Sequence, residues 1–245
     1  MPRVAIVAAL EREVSGLTRN WNRVEQQYGG RRFVFFERDE MVVVCGGIGL
    51  DAARRAAEAV IALHHPARVH SVGFAGALDP DLRVGDLIAP SVVIDARDGS
   101  RAFVSGVDSQ TSLVTYMSVA GVQQKKNLAH AFGAKGVDME AAAVAAAAVA
   151  HGIPFGATKV ISDEWNFEIP EMDRFIDPRG RFKTANFVLF VALRPWLWKR
   201  VVTLARNSRK AARALGEHLE RWVQDSTQVS EPVEGIGPLR NGGRK

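Results

Sequence analysis

Short apolar runs rich in valine and isoleucine alternate along the chain with segments whose apolar residues recur at helical spacing. The first pattern is typical of buried strands and the second of one helix face. The predicted strands are Val4–Ala9, Arg32–Phe36, Met41–Cys45, Val69–Gly73, Asp86–Ile94 and Phe155–Ile161. The predicted helices are Glu11–Thr18, Leu50–Leu63, Gln123–Ala131, Glu140–His151 and Phe187–Val223, the last broken or bent at Pro195. The alternation predicts an α/β domain with a mixed, mostly buried sheet.

The composition sets the domain organisation. A length of 245 residues with 47% hydrophobic content is enough for one large core. We expect one main domain over residues 1–186 and an amphipathic helical appendage over residues 187–223. The last segment, 224–245, is rich in glycine, proline and serine and has no periodicity, which predicts a disordered tail.

Several classes of protein are disfavoured. The one cysteine, Cys45, follows "MVVV" and is expected in a buried strand, and it has no partner for an intramolecular disulfide. No cluster of cysteine and histidine has metal-ligand spacing, so no metal is expected. No run of 18 apolar residues is present, and no secretory leader is visible, so a cytoplasmic location is the default expectation.

The positive charge is concentrated near the C-terminus. The formal net charge is +5, and residues 194–213 hold seven Lys/Arg and no Asp or Glu. Such a block is most often a solvated helix face, although anionic lipid and acidic ligands remain open. Nucleic acid is not an expected partner, because no reading module and no interleaved stacking aromatic residues accompany the charge.

Two glycine-rich turns follow predicted strands. "CGGIGLDAARRAAEAV" (Cys45–Val60) runs from a strand into a helix, and "VGFAGALDPDLRVGDLI" (Val72–Ile88) opens a loop after a strand. Glycines at such ends let a ligand approach backbone N–H groups, and a helix N-terminus favours an anion. Each motif alone is equally compatible with a tight structural turn.

Three further segments bring carboxylates to element ends. They are "ALEREV" (Ala9–Val14), "GVDMEAAAVAAAAV" (Gly136–Val149) and "ATKVISDEWN" (Ala157–Asn166). A carboxylate at a strand exit can face a ligand and, when buried, retain a proton. The structural alternatives are a helix N-cap for Asp163 and ordinary first-turn acidic residues for Glu11 and Glu13.

Taken together and in this order, the five motifs resemble the nucleoside phosphorylase and nucleosidase superfamily over about residues 3–166. That family includes purine nucleoside phosphorylase, uridine phosphorylase and methylthioadenosine/S-adenosylhomocysteine nucleosidase. The resemblance implies a three-layer phosphorylase-like fold with a central mixed β-sheet flanked by helices, here with a C-terminal helical appendage. It also implies a purine nucleoside substrate, no cofactor and a homo-oligomer.

The resemblance also implies residue roles. Met139 would pack on the sugar, and Glu140 would accept hydrogen bonds from the ribose 2′- and 3′-hydroxyls and stabilise positive charge on the sugar. Asp163, oriented by Ser162, would donate a proton or hydrogen bond to N7 of the leaving base. Glu13 would position the attacking water. The remaining predicted substrate contacts are Ile48, Gly49, Phe74, Ala75, Gly76, Met117 and Ser118; Asp138 has no clear role.

Phe74 departs from the family pattern. The family usually has Ser or Thr at this position, where the hydroxyl helps to hold phosphate, and phenylalanine cannot donate a hydrogen bond. Backbone N–H groups around Gly47 and Gly76 could still bind phosphate as a co-substrate. Because Phe74 removes one partner of the phosphate and Glu13 fits hydrolysis, water is favoured over phosphate as the nucleophile.

The ending "LRPWLWKRVVTLARNSRKAARAL" resembles the hopanoid-associated branch of the superfamily, which is linked to adenine removal from adenosylhopane. This implies a lipid-linked adenosyl substrate, with Phe74 and Trp165 as apolar walls. Tryptophan with Lys/Arg on a helix suits peripheral membrane contact through 187–215, while packing on the core or a second subunit is the alternative. Alternative functions are a methylthioadenosine/S-adenosylhomocysteine nucleosidase and a non-catalytic nucleoside-binding or membrane-docking protein.

Overall fold

One mixed sheet forms the centre of the protein. The computed structural model describes residues 3–107, 109–168 and 172–228. Within them the strands are β1 Val4–Ala8, β2 Asn22–Tyr28, β3 Arg31–Arg38, β4 Met41–Cys45, β5 Arg68–Ala77, β6 Leu87–Ile88, β7 Val92–Asp95, β8 Arg101–Phe103, β9 Ser112–Thr115, β10 Gly136–Asp138 and β11 Phe155–Asp163. The helices are α1 Glu11–Thr18, α2 Leu50–His64, α3 Val122–Phe132, α4 Ala141–Ala150, α5 Thr184–Ala192 and α6 Pro195–Gln228.

The long strand β5 is the hub of the sheet. The strand order is β2-β3-β4-β1-β5-β10-β9-β7-β8, and β11 pairs with β5 and with the short β6. β5 runs parallel to β1 and β11 and antiparallel to β10. At the end of β5, Gly76 is in register with Asp163 on β11 and Val137 on β10. The carboxyl ends of β1, β5 and β11 therefore meet beside β10, at an edge where α/β proteins bind ligands.

Helices cover both faces of the sheet, which confirms the predicted three-layer arrangement. Side chains along β1 alternate: Ala5 and Val7 belong to the core cluster that includes α2 and α4, while Ile6 and Ala8 belong to the cluster that includes α1 and α6. This alternation follows from the two-residue period of a strand. The alanine-rich α4 is buried along most of its length because it packs against both α2 and the sheet.

The predicted continuous strand Asp86–Ile94 is wrong. The structure has β6 and β7 there, separated by residues 89–91. Pro90 lies in this gap, and proline cannot donate a ladder hydrogen bond. The sequence patterns also missed β2, β8, β9 and β10, which are polar or only a few residues long.

The C-terminal helices begin and end differently from the predicted appendage. The predicted break is present, since α5 ends at Ala192 and Pro195 is the first residue of α6, where its missing N–H is tolerated. α6 continues to Gln228, so the first residues of the predicted disordered tail are helical, and 229–245 lie outside the described residues. No helix in the described part of the chain is long and apolar enough to cross a bilayer.

The second half of α6 is part of the core. Ala211, Leu215 and Leu219 are buried in the same cluster as α1 and the sheet. α6 crosses α1 closely enough that a Cβ added to Gly16 would lie 3.6 Å from Gly216 Cα. The boundary predicted at residue 187 therefore does not mark the edge of the core.

Replacing Leu215 by alanine tests this packing. Leu215 has no exposed surface, so Leu215→Ala should lower the free energy of unfolding by about 2–5 kcal/mol through lost burial and a residual cavity. Leu193→Ala is the matched control, because Leu193 is 70% exposed and should change stability by less than about 0.5 kcal/mol. Urea unfolding measures both values, and equal effects would show that α6 is not part of the core.

Candidate active site

A cavity of about 710 Å³ opens at the edge where the strands converge. Its walls come from the start of α1, the ends of β5 and β11, the start of α4, and α5 and α6. All the predicted site residues line it except Met117 and Gly49. The Met117 side chain is 65% exposed and lies outside the lining. Gly49 contributes indirectly, through a backbone hydrogen bond to Glu140.

Glu13 lines this cavity and is held in place by backbone groups at the start of α1. Its Oε2 accepts hydrogen bonds from the backbone N–H groups of Ala9 and Leu10, both at 3.1 Å. Burial raises the pKa of Glu13 above its ordinary value, and the Leu10 hydrogen bond and Lys159 only partly oppose this. Gly73 faces the carboxylate: it has a φ of +142°, and an added Cβ would lie 3.1 Å from Glu13 Oε2. A larger residue at 73 would be strained and would crowd Glu13.

Glu140 lies at the start of α4 and is tied to the glycine turn after β4. Its Oε1 accepts a hydrogen bond from the Gly49 N–H at 2.8 Å. Burial raises the pKa of Glu140 to about 8, and the neighbouring Asp138 carboxylate adds to the rise. Met139, between these two acids, lines the cavity.

Asp138 has a structural role that the sequence did not reveal. One carboxylate oxygen accepts a hydrogen bond from Thr115 Oγ1 at 2.6 Å, and the other accepts one from the Ala141 N–H, at the start of α4, at 2.8 Å. The second oxygen also lies 3.0 Å from Lys159 Nζ. Asp138 therefore joins β9, α4 and β11 at the wall of the site.

Lys159 is a fully buried cation in the middle of β11. Its side chain is 1% exposed. Burial tends to lower the pKa of Lys159, but Asp138 and Glu140 outweigh it, so the pKa is raised and the ammonium form persists. The charge of Lys159 also acts on Glu13. One lysine thus serves as counter-ion to several carboxyl groups of the site.

Asp163 ends β11 and is also paired. Its Oδ1 accepts a hydrogen bond from Ser162 Oγ at 2.7 Å. Its Oδ2 forms an ion pair with Lys125 of α3, and Lys125 Nζ donates a second hydrogen bond to the Glu164 carbonyl at 2.7 Å. Gly76 lies close to this pair, and its lack of a side chain leaves room for it, since an added Cβ would lie 2.9 Å from Asp163 Oδ2.

The glycine turn at residues 46–49 has no free N–H group for an anion. The N–H groups of Gly47 and Ile48 donate to the carbonyls of Ala9 and Gly180 at 2.9 and 2.8 Å, and that of Gly49 donates to Glu140. The Gly46 N–H is bonded to the Ala8 carbonyl. The expectation that backbone groups around Gly47 bind phosphate is therefore wrong for this turn.

Arg12 and Arg209 are cationic groups in the cavity wall.

Much of the cavity lining is apolar, and the C-terminal helices supply a large share of this apolar wall. Its wall includes Phe74, Phe182, Phe187, Val188, Val201 and Leu204. The guanidinium group of Arg12 lies over the Phe74 ring, 6.0 Å from the ring centroid. Trp165, expected as a second apolar wall, is not part of the lining.

Sequence reasoning missed the two lysines and the contribution of α5 and α6 to the cavity. A signal for Lys159 exists, because a charged residue inside an otherwise apolar strand needs a buried partner. Lys125 gives no such signal, since it stands beside Lys126 in a polar helix and only packing shows which of the two is buried.

Comparisons with known proteins agree on the family and the fold. The family model described as "Phosphorylase superfamily" matches residues 3–117 and 107–187. No curated protein matches the sequence.

Solved structures share the fold at 18–19% identity, a level that supports the fold alone. A mutant of the Helicobacter pylori methylthioadenosine nucleosidase with 5′-methylthioadenosine in its active site is 18% identical, with a TM-score of 0.68 over 92% of this chain and 99% of that one. The Neisseria meningitidis 5′-methylthioadenosine/S-adenosylhomocysteine nucleosidase is 19% identical, with a TM-score of 0.68 over 92% and 100%. The Helicobacter pylori futalosine hydrolase is 18% identical, with a TM-score of 0.67 over 91% and 98%.

The raised pKa of Glu140 predicts a pH-dependent effect of Glu140→Gln on stability. Because the pKa rises from 4.5 to about 8 on folding, the protonated form stabilises the fold below about pH 4.5 and this contribution is lost as pH rises through 8. Glutamine does not titrate, so the melting temperature of the variant relative to the unchanged protein should increase from about pH 5 to about pH 8 and then level off. Thermal unfolding measured across that range would contradict this if the two curves stayed parallel.

Proposed function

This chain belongs to the phosphorylase superfamily, and we propose that it cleaves the N-glycosidic bond of a purine nucleoside, releasing adenine from a lipid-linked adenosyl substrate. The observation that carries the proposal is the convergence of Glu13, Glu140 and Asp163 on one cavity. Cleavage builds positive charge on the ribose and negative charge on the departing base. A site for it needs carboxylates near the sugar and a proton source near the base.

The three acids suit different parts of this reaction. Glu140 and Met139, at the start of α4, would face the ribose, where a carboxylate stabilises oxocarbenium character. Glu13 would take a proton from the attacking water, and its raised pKa moves it toward the working range of a general base. Asp163, held by Ser162 at 2.7 Å, would act at N7 of the base.

Water is the nucleophile that the local geometry favours. The N–H groups of the turn at 46–49 are taken by protein acceptors, and Phe74 supplies no hydroxyl. Phosphorolysis is the second candidate, because Arg12 and Arg209 line the same cavity and guanidinium groups bind phosphate well.

The apolar wall of the cavity supports a large apolar substituent on the 5′ side of the nucleoside. Phe74, Phe187 and Leu204 would surround such a group where it extends away from the 5′ carbon of the sugar. Burying a terpenoid chain there gains about 25 cal/mol for each Å² removed from water. Adenosylhopane is the substrate we propose on this basis. A small nucleoside such as methylthioadenosine would leave most of this wall without contacts.

Exposed apolar side chains of α5 and α6 support contact with a membrane. This α5–α6 surface consists of Val188, Leu189, Leu193, Trp196, Trp198 and Val202, all of them exposed. Val188 belongs to it and also to the cavity wall. Lys199 and Arg200 are exposed beside it and suit anionic headgroups.

The expected homo-oligomer stays a prediction.

Adenine release by the purified protein tests the proposed reaction. With adenosylhopane, methylthioadenosine and S-adenosylhomocysteine as substrates, we expect release from the lipid nucleoside, at equal rates with and without phosphate. Asp163→Asn should lower kcat by about 100-fold or more, since general acid catalysis contributes at least this much. Dependence on phosphate would establish phosphorolysis, activity on the small nucleosides alone would contradict the lipid substrate, and no release from any would contradict the reaction.

Charge introduced into the α5–α6 surface should weaken membrane binding. Leu193→Asp with Trp196→Asp should reduce partitioning onto vesicles containing phosphatidylglycerol by at least about tenfold, because two apolar side chains no longer enter the interface. Phe103→Asp is the matched control, since Phe103 is 78% exposed on β8, away from this surface. Equal binding of both variants in a vesicle co-sedimentation assay would contradict a membrane-facing role.

A further inference from the structure

Lys125 is a buried cation with no assigned part in the reaction. It lies on α3, its side chain is 2% exposed, and it lines the cavity beside Asp163. Its neighbour Lys126 is exposed. Lysine is almost never fully buried without a partner, and here the partners are the Asp163 carboxylate and the Glu164 carbonyl.

Both carboxylate oxygens of Asp163 are engaged by hydrogen-bond donors. Its Oδ1 receives the Ser162 hydroxyl and its Oδ2 receives the Lys125 ammonium, so both oxygens accept hydrogen bonds. A carboxyl group in this arrangement is an acceptor. Purine bases leave poorly as anions, and the proton for N7 therefore has to come from another group.

Lys125 Nζ is placed to supply that proton. It donates to Asp163 Oδ2 and to the Glu164 carbonyl, and an ammonium group has three protons to donate. Lys159, the other buried lysine of the site, contacts Asp138 and the Val72 carbonyl instead. Of these two buried lysines, only Lys125 touches the carboxylate on the base side.

We propose that Lys125 is the source of the proton that Asp163 passes to the leaving purine. This rests on the proposed nucleoside cleavage and deepens it, because it makes Lys125 and Asp163 one acid. Lys125 acts through Asp163 and holds it in position at the same time.

The step balances as follows. The bond between C1′ and N9 breaks, and its electron pair goes to the base. Lys125 Nζ gives a proton to Asp163 Oδ2 and Asp163 passes this proton to N7, so the base leaves neutral, Asp163 ends as a carboxylate and Lys125 ends as a neutral amine. The attacking water forms the new C1′–O bond and gives its proton to Glu13. Solvent then returns a proton to Lys125 and accepts one from Glu13.

The test compares two leaving groups. Adenine needs a proton, whereas 4-nitrophenolate leaves as a stable anion from a 4-nitrophenyl riboside with the same 5′ substituent. Lys125→Met should lower kcat for the adenine nucleoside by about 100-fold or more, with KM changed much less, and should alter kcat for the nitrophenyl riboside by less than about fivefold. Lys126→Met is the matched control and should leave both rates unchanged.

Each result supports or overturns the assignment. Equal losses on both substrates would show that Lys125 only maintains the shape of the site, and no loss on adenine would show that it is not the proton source. Lys125→Arg is a second test, in which kcat and KM are measured with the adenine nucleoside alone. Guanidinium keeps the positive charge but does not release a proton at neutral pH. Low kcat with retained KM supports the proposal, and near-normal kcat overturns it.

These outcomes are distinct from failure of the proposed function. If the unchanged protein released no base from any nucleoside, the nucleoside reaction itself would be wrong. Thermal unfolding of Lys125→Met and of the neutral pair Lys125→Met with Asp163→Asn shows whether a loss of activity comes from unfolding. If only the single variant unfolds at the assay temperature, Lys125→Arg decides the question.

Discussion

The buried ion pair between Lys159 and Asp138 is the interaction on which the site depends. The two groups lie 3.0 Å apart with almost no exposed surface, and removing either would leave an uncompensated buried charge, which is strongly destabilising. Asp138 also receives the Thr115 hydroxyl and the Ala141 N–H. The pair therefore fixes where α4 begins relative to β9 and β11, and with it the position of Glu140.

The same electrostatic constraint explains why acids and lysines occur together in this cavity. Carboxyl groups removed from water are expensive unless cations or hydrogen-bond donors compensate them. Glu13 and Glu140 are only partly compensated, and burial raises the pKa of both carboxyl groups. Asp163 instead has Lys125 beside it. The carboxyl groups of Glu13, Glu140 and Asp163 are therefore chemically similar, but the different charges and hydrogen-bond donors around them give them different parts in the proposed reaction.

The helix α6 joins the stability of the fold to the character of the substrate pocket. Its second half packs on α1 and β11 through Leu215 and Leu219, while its first half and α5 supply much of the apolar wall of the cavity. A segment that resembles an appendage in sequence is therefore anchored by its far end. The near end has a small apolar cluster of its own, formed by Phe175, Phe187 and Val191, and it also carries exposed tryptophans.

The sequence by itself determined the fold class, the elements with strong periodicity and the acidic residues of the cavity wall. Apolar runs identify β1, β4 and β11, and the order of glycines and carboxylates at strand ends identifies the edge where the site lies. The periodicity could not reveal β10 or the split at Pro90, because short strands are set by their partners in the sheet. It also could not distinguish Lys125 from Lys126, or show that the N–H groups after β4 are already bonded. Those features depend on which groups are buried together, and burial is decided only when the tertiary structure brings distant segments into contact.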